Sequence, residues 1–146
     1  MNLFGQVMEE LGAHKQYEPL ICEALMAMIT FASQNFKFKN CFVQPIGVST
    51  QSKKITILKL VTDKIQTFTN LQSTSKVLRL LYTLIRSLSL SPEVIKEVIK
   101  LKFIEDVTAI ISPQCKNDKD IKLFKAYLTH YMGFLAAFTY SDEGCR

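Results

Sequence analysis

Apolar residues recur every three or four positions along nearly the whole chain. Ile121, Phe124, Leu128, Tyr131, Leu135 and Phe138 line one stripe of a helix, and Val77, Leu81, Leu84 and Leu88 line another. Ile21, Leu25, Met28 and Ala32 repeat the pattern, as do Ile55, Leu58, Val61, Ile65 and Phe68. A period of two is sustained nowhere, so strands are not expected. Loop chemistry divides these runs. CFVQPIGVSTQS holds Pro45 and Gly47 among small polar residues and is the longest candidate loop. Ser91-Pro92 reads as a helix start, with serine at the cap and proline at the first helical position, where a missing N–H does no harm. Ser112-Pro113 ends one helix, and Asp118 or Asp120 suits the positive end of the next. Helices are therefore predicted over 2–11, 17–36, 53–69, 74–90, 92–101, 103–111 and 120–139. The fold class is all-α, either a bundle or a solenoid of stacked helices.

Three places share a long apolar helix that runs out into a small polar turn: MITFASQNFKFKNCFV, LIRSLSLSPEVIKEVI and GFLAAFTYSDEGCR. Aligned on Ala32, Ser89 and Thr139, they are offset by 57 and 50 residues. SPEVIKEVIKLKFIEDVTAIIS, a charged loop, and DIKLFKAYLTHYMGFLAAFTYSDEGCR have the form of a short helix after a polar turn, a second helix reached through a bend, and a long third helix. In this they resemble an armadillo repeat. The resemblance implies a right-handed armadillo-like solenoid of two to three irregular repeats. It would form one domain over 1–146, with 70–146 matching better than 1–69, and would be a piece of a larger protein whose neighbouring repeats cover its ends. Two departures stand out. The bend that carries glycine in the family is Lys100-Leu101-Lys102 here, and the tryptophan and asparagine with which peptide-binding members clamp an extended backbone are missing from the third helices. FLAAFTYSDEGCR and SLSLSPEVIKEVIK also resemble repeats of the rotatin family, large centriole and basal-body proteins, which implies a centriolar or centrosomal location.

Composition narrows the function classes. Forty-eight per cent of the residues are hydrophobic, enough for one packed core, and only 5 glycines and 4 prolines are present, too few for a turn-rich β-sandwich. Eighteen lysines and arginines against 13 acids give a net charge of +5, spread over several segments as solvated helix faces require. The four cysteines form no CxxC pair, so a reduced, cytoplasmic chain is expected, and no uncharged stretch reaches the roughly 18–20 apolar residues of a membrane span. Two histidines, His14 and His130, stand outside any nucleophile motif, no ligand pair has zinc spacing, and no glycine-rich phosphate loop occurs. Neither catalysis nor a cofactor is expected. NFKFKNCF interleaves Phe36, Phe38 and Phe42 with lysines, a pattern that can stack bases, though a helix end with its aromatics turned inward accounts for it.

What remains is surface. Arg79, Tyr82 and Arg86 fall off the apolar stripe of one helix at three- and four-residue spacing, and Lys122, Lys125 and Thr129 do so on the last. In an armadillo-like stack both rows would face one groove. The expected function is a non-catalytic protein-interaction scaffold that docks an acidic or phosphorylated partner segment on this basic groove. Nucleic-acid binding through the basic surface is the alternative.

Overall fold

A computed structural model describes residues 18–46, 55–70, 76–115 and 118–140. The chain is mostly helical. The helices are α1 (Glu18–Gln34), α2 (Phe36–Cys41), α3 (Ile57–Asn70), α4 (Lys76–Leu88), α5 (Pro92–Lys100), α6 (Phe103–Ile111) and α7 (Asp118–Thr139), with a 3-10 turn over Ser112–Cys115 before α7. The helix expected over 2–11 lies outside the described residues. The expected helix over 103–111 matches α6 residue for residue, whereas α3 begins four residues later than the spacing suggested.

Two local readings are corrected. The stretch after Gln34 does not continue α1. Asn35 adopts an extended backbone and its side-chain oxygen accepts the N–H groups of Lys37 and Phe38, which caps a new helix, α2. Its aromatics turn partly inward: Phe42 is fully buried, Phe38 packs against the core, and Phe36 stays half exposed with the Lys39 ammonium 5.7 Å from its ring centre. A platform of three outward aromatics is therefore not formed. The second correction is a short antiparallel pairing of β1 (Pro45–Ile46) with β2 (Ile55–Thr56), where no strand was expected.

Prolines and bends set the other boundaries. Pro92 opens α5 behind Ser91, yet the Ser91 hydroxyl does not cap the helix backbone. It lies 2.7 Å from the Asn40 Oδ1 and 2.9 Å from the Glu93 Oε2, so it ties α2 to the start of α5. Between α5 and α6 the chain turns at Lys102, whose φ of 53° and ψ of 30° are left-handed. The bend thus falls within the Lys100-Leu101-Lys102 segment, on a residue that pays a steric penalty glycine would avoid.

Contacts join helices that lie three elements apart. α1 lies on α4 and α4 on α7; α2 lies on α5; α3 lies on α6. In addition, α3 packs on α4 and α5 on α6. Along α4 and α7 the contacts advance together, Tyr82 meeting Tyr131 and Arg86 meeting Gly133, so these two helices run side by side in the same sense. Against α6, by contrast, α7 runs the opposite way, with Phe103 on Phe134 and Thr108 on Tyr131. One continuous apolar core results, from Leu25 and Met28 of α1 through Leu81 and Ile85 of α4 to Phe134 of α7. Each large aliphatic side chain so enclosed contributes about 1.5–3 kcal/mol.

Candidate functional site

The two predicted rows lie on α4 and α7, which pack against each other. No acidic residue occurs in α4, KVLRLLYTLIRSL, and its only exposed residues are Lys76, Arg79 and Arg86. Arg79 and Arg86 stand seven residues apart, two turns or roughly 10 Å along the axis. Thr83 lies between them on the same face, with its hydroxyl donated to the Arg79 carbonyl oxygen at 2.9 Å. On α7, Lys125 and Thr129 are exposed, and the Thr129 hydroxyl donates to the Lys125 carbonyl oxygen at 2.8 Å. The side chain of Lys122 lies outside the described residues.

Tyr82 does not belong to this surface. It is 1% exposed, its hydroxyl is 3.1 Å from the Thr69 Oγ1, and its ring meets that of Tyr131 edge to face. The reason is the position of α4. A helix on the outside of a bundle buries one stripe, but α4 has α1, α3 and α7 around it and buries a second, Leu78, Tyr82 and Ile85, beside the first. That second stripe, at intervals of four and three, was present in the sequence as a signal.

Two more residues of α7 complete the site: Gly133, not singled out from the sequence, and His130, which the sequence offered only as a helical histidine outside any nucleophile motif. Gly133 faces Arg86 so closely that a Cβ added there would come within 3.3 Å of the Arg86 Nη1. The arginine side chain therefore reaches across α7 where glycine leaves the room. His130, half-buried, is held below the ordinary histidine range, first by burial and then by the positive charges of Arg79 and Arg86. On α1, burial raises the Cys22 thiol above its ordinary range, with smaller effects from Lys76, Glu18, Glu23 and Arg79.

Among the described residues neither groove arginine is held in an ion pair; the pairs there are Lys59 with Asp63 and Lys100 with Glu97, both away from the groove. Behind the groove, Tyr131 donates or accepts a 2.6 Å hydrogen bond with Thr108, and burial raises its phenol above the usual range. Thr69, Tyr82, Tyr131 and Thr108 thereby connect α3, α4, α7 and α6 under the basic row.

Among the described residues no helix is long and apolar enough to cross a membrane, and no three His, Cys, Asp or Glu side chains lie together as a metal site. Cys22 and Cys41 are free thiols. No protein-family model, curated protein or solved structure matches this chain.

Proposed function

We propose that the chain is a stack of armadillo-like three-helix repeats that serves as a non-catalytic protein-interaction scaffold, binding an acidic or phosphorylated segment of a partner along the α4–α7 groove. The observation that carries this reading is the basic row itself: Arg79, Arg86 and Lys125 are exposed on two adjacent helices, without an acidic partner among the described residues. The three-helix period of the packing supports the repeat architecture, because each helix touches the one three elements further on, as successive repeats of a solenoid do. The left-handed residue between α5 and α6 supports it too, falling where the family bends. A centriolar or basal-body setting is supported by the resemblance of FLAAFTYSDEGCR and SLSLSPEVIKEVIK.

The test is fluorescence anisotropy with a labelled peptide rich in Asp and Glu and, beside it, a single-stranded oligonucleotide. Arg79→Glu with Arg86→Glu is expected to weaken peptide binding by about 2 kcal/mol, since arginines at interfaces are frequent hot spots. Both positions are exposed, so thermal stability should stay within about 0.5 kcal/mol of the wild type. Unchanged binding would remove the groove from consideration, and tighter binding of the oligonucleotide would favour the nucleic-acid alternative.

A further inference from the structure

Arg79 and Arg86 of α4 and His130 of α7 come from two helices that pack against each other. Arg79 and Arg86 lie one turn to either side of Thr83, and both act electrostatically on His130, the α7 residue that precedes the Tyr82 partner Tyr131. The Arg86 side chain lies against Gly133. The two guanidinium groups hold up to ten N–H donors in all, and among the described residues no carboxylate occupies them. Thr83 already donates its hydrogen to the backbone, so its oxygen is left as a neutral floor.

Charge and donor number select the ligand. A single carboxylate brings one negative charge and two oxygens, which leaves one arginine of the pair uncompensated. A phosphate monoester brings a charge of about −1.5 to −2 near neutrality and three terminal oxygens, enough to take a two-pronged contact from each guanidinium. The half-buried imidazole, whose proton affinity is lowered by burial and then by the arginines, offers a further N–H. Lys125, exposed on α7, adds a cation for a neighbouring acidic residue of the same segment.

We propose that Arg79, Arg86 and His130 form a binding site for one phosphorylated serine or threonine of a partner segment, with Gly133 providing the clearance that brings the Arg86 guanidinium to it. The site rests on the groove reading above and narrows it from acidic segments in general to a phosphate monoester.

The experiment compares three labelled peptides of one sequence: a phosphoserine peptide, the same peptide with glutamate in that place, and the same with unmodified serine. Binding is read by anisotropy against the wild type, Arg79→Gln, Arg86→Gln and Gly133→Leu. Several flanking sequences rich in Asp are used, so that the result does not hang on one. The wild type should bind the phosphopeptide at least about tenfold more tightly than the glutamate form, a difference of about 1.4 kcal/mol. Either arginine substitution should abolish that preference, and Gly133→Leu, by displacing Arg86, should reduce it. In NMR titrations the His130 imidazole should become easier to protonate when the phosphopeptide binds and should not move with the serine peptide. Equal binding of phosphoserine and glutamate peptides that still depends on Arg79 and Arg86 would overturn the phosphate site and leave the groove reading standing. Failure of all three peptides would overturn both. Circular dichroism of each variant must match the wild type; if Gly133→Leu departs, Gly133→Ala replaces it in the series.

Discussion

Tyr82 of α4 and Tyr131 of α7 meet edge to face beneath the basic row, with ring centres 6.3 Å apart and planes inclined by 67°. Each tyrosine hydroxyl is satisfied by a threonine from another helix, Thr69 of α3 for Tyr82 and Thr108 of α6 for Tyr131. The pair thus fixes how α7 lies along α4, and with it the spacing of every charged group above. Stability experiments on this pair separate the core from the groove. Tyr82→Ala is expected to destabilise the fold by about 3–5 kcal/mol in urea unfolding, as large aromatic truncations in a core do. Tyr82→Phe keeps the ring and leaves the buried Thr69 hydroxyl without it, for a loss of about 1–2 kcal/mol. A double-mutant cycle between the two tyrosines should show a coupling of about 0.5–1.5 kcal/mol. A Tyr82→Ala variant as stable as the wild type would mean that the tyrosine sits on the surface after all.

Gly133 tests stability and binding in opposite directions. It lies inside α7, where alanine is favoured over glycine by up to about 1 kcal/mol. The atom that an added methyl would meet is the end of the flexible Arg86 side chain, which can move aside. Gly133→Ala should therefore raise the melting temperature while weakening the binding of an acidic or phosphorylated peptide. A fall in both quantities would show that backbone, rather than the arginine, fills the space.

Lys102 is the described non-glycine residue with a positive φ. A left-handed conformation is disfavoured by about 1–2 kcal/mol for a residue with a Cβ, and part of that is offset because glycine gains freedom in the unfolded chain. Lys102→Gly is expected to stabilise the protein by roughly 0.5–1 kcal/mol, whereas Lys102→Val should destabilise it. Chemical denaturation of the three proteins checks the order.

The pH dependence of His130 follows from its lowered pKa. Because the folded state binds this proton less readily than the unfolded chain, the neutral form contributes stability above the ordinary histidine value near 6.5, and that contribution is lost as pH falls below it. His130→Gln should flatten this part of the stability profile between pH 7.5 and 5. An anion bound between Arg79 and Arg86 works in the other direction and should raise the imidazole pKa, read directly by NMR.

Much of this architecture is written in the spacing of apolar residues. Local interactions place the helices: Pro92 starts α5, the run from Phe103 to Ile111 is bounded by turn chemistry on both sides, and the stripe through Leu128, Tyr131 and Phe138 marks α7. Arg79, Arg86, Lys125 and Thr129 were legible as surface residues for the same reason, since they lie off those stripes. The Asn35 cap was readable in principle, but a continuous helix through Phe36 satisfied the same apolar periodicity, and the choice between them belongs to the Phe42 side chain, which the core takes up only when the chain turns. Tyr82 shows the larger limit. Periodicity reports that a helix has an apolar side and says nothing of how many neighbours it will have; once α1, α3 and α7 surround α4, its second stripe is buried and the tyrosine joins the core. The gathering of Arg79, Arg86, His130 and Gly133 at one place was decided in the same way. The pair Arg79 and Arg86 is separated from the pair His130 and Gly133 by more than forty positions in the chain, and only the side-by-side packing of α4 and α7, held by contacts that no local pattern encodes, brings the two pairs together.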